Sequence, residues 1–527
     1  MSDQVSGGLT AEGEEDDLAQ FGYKQELDRS LGKFSSFAAG FSYLSILTGV
    51  VSLFGLGFGF AGPAFWWTWP VVFGGQMLVA LLFAELAGQF PLSGSVYQWA
   101  KQIAGPWTAW LGGWMVLVGS VITLAAVAVG YQVVLPVLWS GFEIVGGESD
   151  IGTYSTPDGS KNAILLAIVL VGFTTFVNTV SVKLVAFLNN LGVAVELGGA
   201  VLLVILLAFN VKRGPGVIFD THAMGEGHAW GYLGALLLAA LMPAYIFYGY
   251  DTAGSLAEET MNPRRFAPPG IYRAVLASAV LGGLIMLLGM MAVPNIEDPG
   301  VYACIANDDE HCATGTSLGL GLPYIFNAAL GPLLGKLFLV AAIFAVTVCS
   351  LAVHAGCVRM IFTMARDGRM PFGSALAKVS GRSKTPLIPT VFVGVATMAL
   401  LALNLANQQV FGTLVSIAIL FFNIAYTCVT LPLLIKRLRG GWPRPNHGPY
   451  FALGRLGLPI NAVAVVFQIL LMVNIVWPRE EIYGSDWYFL YGGFLVTGLF
   501  VLVGAVFYFT KLHNKEPEIL AEHRAGG

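Results

Sequence analysis

The segment IFYGYDTAGSLAEETMNPRRFAPP, residues 246–269, decides how this chain is read. Its apolar run is interrupted at Tyr248-Gly249-Tyr250-Asp251, resumes, and stops at Glu258-Glu259, Pro263 and two arginines. A carboxylate inside an apolar span is costly in hydrocarbon and marks a functional position by default. A hydrophobic segment broken by glycine is the sequence signature of a discontinuous membrane helix, and such helices build the solute sites of carriers. The segment therefore predicts a membrane carrier with its site near residue 249.

The surrounding composition agrees. Of 527 residues, 56% are hydrophobic and only 11% charged, with a mean hydropathy of +0.73, whereas soluble domains carry about 25% charged residues. Residues 34–84 and 385–435 contain no Asp, Glu, Lys or Arg, and each run can hold two membrane helices of about 20 residues. Apolar runs between Gly, Pro and charge clusters predict twelve spans, near 37–59, 64–88, 107–138, 162–181, 184–210, 231–257, 271–293, 324–365, 387–406, 409–435, 456–477 and 486–510. The third and eighth are long enough to tilt or to extend beyond the bilayer. No paired metal-ligand spacing, Walker sequence or soluble catalytic domain accompanies them. An enzyme is not expected, nor a cofactor, a metal or a nucleic-acid partner; the expected partners are lipid and a small solute.

The predicted organisation is a tail (1–33), a transmembrane transporter domain (34–510) and a second tail (511–527). Within the domain, 37–210 and 231–435 form two repeats and 456–510 the last two spans. With the N-terminus inside, all but five of the 27 Lys and Arg fall on inner loops, tails or helix ends, the exceptions being Lys161, Lys212, Arg213, Lys336 and Arg479. The loop 436–455 carries five of them. Positive charge accumulates inside, so both termini are expected in the cytoplasm and the protein in the plasma membrane. The first ~20 residues are acidic and lack the apolar core of a signal peptide, and they read as a disordered tail. The outer loop 294–323 carries Cys304 and Cys312, which an oxidising compartment would allow to pair. Cys349, Cys357 and Cys428 fall within spans and read as small apolar packing.

The first span, SILTGVVSLFGLGFG (45–59), holds Gly49, Gly55, Gly57 and Gly59. Glycine both weakens a helix and admits close backbone approach. For Gly55 to Gly59, unwinding and tight packing are equally open. At Thr48-Gly49 unwinding is expected, because it pairs with the break at Gly249. Irregular backbone at membrane depth survives only where it lines a cavity or is buried in protein. Two facing breaks would offer amide donors to a carboxylate and free carbonyls to an ammonium. The amides of Thr48, Gly49 and Val50 are the expected donors. The carbonyls of Tyr245, Ile246 and Phe247 are the expected acceptors, with Asp251 behind them. A break in the first helix of each five-helix half also predicts inverted repeats.

Three stretches resemble a known family: FAELAGQFPLSGSVYQWA (83–100), the segment 246–269, and CVRMIFTMARDGRMP (357–371). They are similar to the amino acid–polyamine–organocation (APC) superfamily. The spacing in YGYDTAGSLAEETMNPRR is most similar to its amino acid/choline transporter branch, which includes GABA permeases. The resemblance runs from about residue 22 to 510. It implies an all-α fold of about twelve transmembrane helices. That fold is a 5+5 inverted repeat of the leucine-transporter type plus two C-terminal helices, with helices 1 and 6 broken. The chain departs from the family in helix 1, where LTGVV (47–51) replaces the commoner Gly-Ser-Gly.

Each buried polar group has two readings. Asp251 would contact a substrate amine or take part in proton coupling, or else cap the second half of its helix. Glu196, the lone carboxylate of its span, stands near a Lys of related proton-coupled carriers. It would carry the coupling proton or merely bridge helices. His354 is either a proton relay or a packing residue. Glu259 and Arg359, with Glu85, Glu258, Arg366 and Asp367, are expected to form inner-gate ion pairs. Tyr248 and Tyr250 are candidate gating rings. The function implied is secondary active transport of an amino acid or related amine such as GABA, by alternating access. The expected coupling ion is a proton, with sodium as the alternative. A polyamine, choline or ethanolamine carrier, an exchanger and a membrane nutrient sensor remain open.

Overall fold

Each predicted apolar span is built mainly of helix in the computed structural model, which covers 18–513 apart from 19, 24, 26, 28, 155, 227, 229, 382–384, 404–409 and 445–447. In chain order the helices used below are α1 (Lys33–Leu44), α2 (Ile46–Ala61), α3 (Thr68–Gln89), α4 (Ser95–Ile103), α5 (Pro106–Val129), α6 (Pro157–Val180), α7 (Val182–Phe209) and α8 (Tyr232–Ile246). They continue with α9 (Thr252–Ser255), α10 (Pro263–Ala292), α11 (Leu322–Leu330), α12 (Pro332–Arg366), α13 (Leu387–Leu403), α14 (Val410–Leu438), α15 (Gly457–Val476) and α16 (Gly492–Phe507). Among the described residues, ten helices are long and apolar enough to cross a membrane, and Tyr232–Ile246 and Leu387–Leu403 are apolar but shorter. The architecture is that of a polytopic membrane protein. Extended pairing among the described residues is limited to one parallel bridge, Leu31 to Thr260.

Burial sorts the helices. In the most apolar stretch of Lys33–Ala61, 83% of residues are buried, against 11% for Gly492–Leu512. The first broken helix is therefore central, where irregular backbone can be shielded. Helix α16 lies at the periphery, presenting Leu499, Leu502 and Val506 outward.

The second break lies where the sequence predicts it: α8 ends at Ile246 and α9 starts at Thr252. The first break does not. The chain bends at Ser45 (φ 31°, ψ 93°), between α1 and α2, and Thr48-Gly49 is helical, with the Gly49 amide donating to the Ser45 carbonyl at 3.0 Å. Serine just before a helical run is a residue type that starts helices. Gly49 is needed for close approach instead: a Cβ there would lie 2.3 Å from Cγ1 of Ile246. The eighth predicted span, 324–365, is also two helices. Gly331 takes φ 80° and Pro332 opens α12, so α11 and α12 are separate elements.

Gly55, Gly57 and Gly59 are packing positions inside α2. A Cβ at Gly55 would fall 2.2 Å from Asn307 Cγ, at Gly57 2.7 Å from the Phe65 ring, and at Gly59 3.2 Å from the Ala306 carbonyl oxygen. The loop 294–323 thus folds down on α2. Cys304 and Cys312 are joined within it by a disulfide, with a Cα separation of 4.4 Å. Residues 1–17 and 514–527, the larger part of both predicted tails, lie outside the described residues. The described part of 18–31 is packed, not free: Leu18, Tyr23, Leu27 and Leu31 are all buried.

Candidate binding site between the two helix breaks

At the first break the amides of Ile46, Leu47 and Thr48 precede the first turn of α2 and lack carbonyl partners one turn back. The Leu47 amide donates to Glu196 Oε1 at 3.0 Å, and the Ser45 hydroxyl donates to the same oxygen at 3.0 Å. Ser45 and Thr48 also share a hydroxyl–hydroxyl bond of 2.6 Å. Because the bend falls at Ser45, the amides without a backbone carbonyl partner among the described residues are those of 46–48, and Glu196 already holds that of Leu47. The expected set of Thr48, Gly49 and Val50 is corrected accordingly, since Gly49 already donates to Ser45 and Val50 is buried in the core.

At the second break the carbonyls of Tyr245, Ile246 and Phe247 accept no hydrogen bond from the described residues, as expected of a helix end without a following turn. The two breaks meet at one narrow cavity, lined by Leu44, Thr48 and Gly49 from one and Tyr245, Ile246 and Tyr248 from the other. Tyr43, Thr123, Val127 and Cys349 complete its wall. Tyr248 stacks on Phe422 at 4.6 Å and shares a 3.0 Å hydroxyl bond with Thr123.

Three residues expected at the ligand sit elsewhere. Phe247 packs on Trp69 at 4.6 Å, away from the cavity. Gly249 takes φ 86°, donates its amide to the Tyr426 hydroxyl at 2.7 Å, and lies under the Tyr43 ring, where a Cβ would fall 1.9 Å from Cδ1. A larger residue at 249 would therefore strike Tyr43 rather than a ligand. Asp251 accepts from Ser95 at 2.6 Å and from Tyr426 at 2.6 Å, so both oxygens are committed. Its side chain does not cap α9. It ties the second break to α4 and α14. Tyr250 donates to Gln76 at 3.0 Å and packs on Tyr426, so it belongs to that same buried layer.

His354 is also away from the cavity. Its Nε2 faces the Thr390 carbonyl at 3.0 Å and its Nδ1 the Thr174 hydroxyl at 3.3 Å. A carbonyl only accepts, so Nε2 carries the proton, and the ring bridges α6, α12 and α13.

At the end of the bundle where α3, α9 and α12 terminate, carboxylates and cations pair. Arg359 donates Nε and Nη2 to the two Glu259 oxygens at 2.8 and 3.2 Å, and both side chains are buried. Arg366 grips Glu258 in the same two-pronged way at 2.9 and 2.8 Å. Lys101 reaches Asp367 at 2.5 Å, and Arg437 pairs with Glu85. Tyr23 and Tyr97 each donate to Asp367 at 2.8 Å. The Leu31 amide donates to the Glu259 carbonyl at 2.9 Å, so the N-terminal segment is strapped across this basic end.

Sequence reasoning missed Ser45, Tyr43, Ser95 and Tyr426. Ser45 alone carried a local signal, as a helix-starting residue before ILTG. The other three matter only through partners distant in sequence.

The profile of the amino acid permease family matches residues 31–503. The chain is 27% identical to an amino-acid permease BAT1 homolog of Oryza sativa subsp. japonica, covering 92% of each protein. It is 26% identical to the branched-chain amino acid permease BcaP of Bacillus subtilis, over 95% of this chain and 97% of that one. It is 24% identical to a GABA-specific permease of Saccharomyces cerevisiae, over 95% and 84%. Facing helix breaks with backbone donors on one side and acceptors on the other, together with a match over nearly the whole chain, place this protein in the amino acid permease family of the APC superfamily.

Proposed function

We propose that this protein is a secondary active transporter that carries an amino acid, such as GABA, across the plasma membrane by alternating access, coupled to protons. The observation that carries the reading is the meeting of the two breaks, Gly49 against Ile246, at one buried cavity. Amides 46–48 face one end of a zwitterion and the carbonyls of Tyr245 and Ile246 the other. Backbone dipoles then neutralise both charges without burying another charged side chain.

On this reading Tyr232–Ile246 and Leu387–Leu403 complete twelve crossings, with 37–210 and 231–435 as inverted halves. The basic end faces the cytoplasm, as do both termini. Its Glu259–Arg359 and Glu258–Arg366 pairs form the closed inner gate, and Tyr248 is the aromatic that moves as the cavity opens. Glu196 carries the coupling proton, being a wholly buried carboxylate at the edge of the site. The relatives named for GABA and for branched-chain amino acids support the substrate class. A choline or polyamine carrier would need an uncommitted carboxylate facing the cavity, and Asp251 is committed to Ser95 and Tyr426.

The test is uptake into proteoliposomes of labelled GABA, L-leucine, L-glutamate, choline and putrescine under separate proton and sodium gradients. Proton-driven accumulation of an amino acid supports the reading. Sodium dependence would replace the ion, accumulation of choline or putrescine alone would replace the substrate class, and binding without uptake would make the protein a sensor.

A further inference from the structure

We propose that Glu196 is a stand-in for the substrate's carboxylate. It occupies the N-terminus of α2 while the protein is empty, is displaced when a ligand carboxylate binds there, and then takes up one proton. This rests on the transport reading above and adds to it a reason for coupling and a criterion for substrates.

The geometry is that of a seat already taken. Glu196 comes from α7, 151 residues from Ser45 in sequence, yet its Oε1 accepts both the Ser45 hydroxyl and the Leu47 amide. Those are donors a ligand carboxylate would use at the first break. The other oxygen, Oε2, is buried without a hydrogen-bond partner, and the side chain is fully shielded from solvent. No Lys, Arg or His among the described residues pairs with it. A carboxylate in such a place keeps its charge only through the donors it holds.

Two carboxylates cannot both hold them. At hydrogen-bonding separation like charges force one group to leave or to become neutral. The titratable group facing Glu196 is the Cys349 thiol of α12. Helices α1 and α2 contribute the hydroxyls of Ser45 and Thr48. The charged residues of the helices packed on α7 are Lys33 on α1, Asp158 and Lys161 on α6, Arg264, Arg265 and Arg273 on α10, and Lys336, Arg359 and Arg366 on α12, and none of them pairs with Glu196. Once displaced, Glu196 has no cation to accept it. Its Oε2 takes a proton from hydronium in the medium: one O–H bond of the hydronium breaks, leaving water, and one O–H bond forms on Oε2, converting carboxylate to carboxylic acid. Each carboxylate bound therefore brings one proton, and an amine without a carboxylate has no means of displacing Glu196.

The experiment is proton counting on the purified full-length protein in weakly buffered detergent with a pH-indicator dye. The protein is titrated with the twenty L-amino acids and GABA, and with isoamylamine and propylamine, the decarboxylated forms of leucine and GABA. At alkaline pH, where the free protein holds Glu196 ionised, one proton should be taken up per amino acid bound and none with either amine. Affinity should weaken by up to about tenfold per pH unit. Glu196→Gln should bind the same amino acid without proton uptake and without that pH dependence. Binding with no proton uptake in the wild type, or undiminished uptake in Glu196→Gln, overturns the inference and the assignment of the coupling proton to Glu196, while leaving amino acid transport standing. Should Glu196→Gln not fold, the contrast between amino acid and amine on the wild type decides. Failure of every amino acid to bind at any pH overturns the transport reading and the inference with it.

Discussion

Replacing Gly49 with alanine tests whether the two helix breaks meet as described. The new Cβ would fall 2.3 Å from Cγ1 and 3.0 Å from Cδ1 of Ile246. Ordinary carbon contacts lie at ~3.5–4.0 Å, so the two chains must separate by about 1.2 Å or Ile246 must turn. Turning is unattractive: Ile246 is β-branched, stiff at χ1, and only 1% exposed. Overpacking of this kind costs about 1–3 kcal/mol, equivalent to roughly 5–150-fold in an equilibrium constant. The loss should appear as weaker substrate binding and slower uptake in proteoliposomes, with a lower unfolding midpoint in detergent. Ile246→Ala removes Cγ1 and Cδ1 and leaves Cβ at 3.5 Å from the new methyl, an ordinary contact. The double variant should therefore be better than the sum of the singles by at least about 1 kcal/mol. Additivity within ~0.5 kcal/mol, the behaviour of sites that do not touch, would refute the proposed contact.

Three further outcomes are expected. Glu259→Gln leaves the buried Arg359 guanidinium without its charge partner, a change that costs about 3–5 kcal/mol. It should open the basic end, so that a cysteine placed at Ala39, in the narrow space lined by Glu259 and Arg359, reacts faster with a water-soluble thiol reagent. Equal reaction rates would remove the pair from the gate, and exchanging the two charges should restore slow labelling. Asp251→Asn should slow turnover while leaving substrate affinity within about twofold, because both Asp251 oxygens are held by Ser95 and Tyr426; a collapse of affinity would put Asp251 on the substrate. Glu143, in the loop before α6, has its carboxyl pushed up to about 7 by partial burial, with the Gln132 hydrogen bond opposing the shift. The folded form then holds a proton that the unfolded chain releases near 4.5, so stability from this group declines as pH rises from about 4.5 to 7 and is level above. Glu143→Gln should abolish that decline, raising the detergent unfolding midpoint relative to wild type at pH 8 but not at pH 4, and parallel pH profiles for the two proteins would exclude it.

Membrane class, the order of the apolar runs and the break at 247–251 were legible in the chain because they rest on local quantities. A run without charges cannot be solvated as anything but a buried or lipid-facing helix. Gly249 with Asp251 two residues on contradicts such a helix within a single turn. The ion-pair partners at the basic end were legible as a set, since so many charges flanking apolar runs must neutralise one another. Their pairing, Glu259 with Arg359 and Glu258 with Arg366, was not.

The tertiary structure decided the rest. Glycine signals either a bend or a close approach, and the sequence around Gly49 does not choose between them. The presence of Ile246 opposite makes Gly49 a contact point and leaves the bend to Ser45. Asp251 looked available to a ligand until Tyr426, 175 residues away, and Ser95, 156 residues before it, took both its oxygens. Glu196 looked like an isolated carboxylate until the amide of Leu47 was set against it. A buried polar group is defined by the partner that satisfies it, because the cost of leaving it unpaired exceeds any local preference. Hydropathy and helix-breaking are summed along the chain, whereas hydrogen-bond partners are found across it, and only the folded chain brings them within 3 Å.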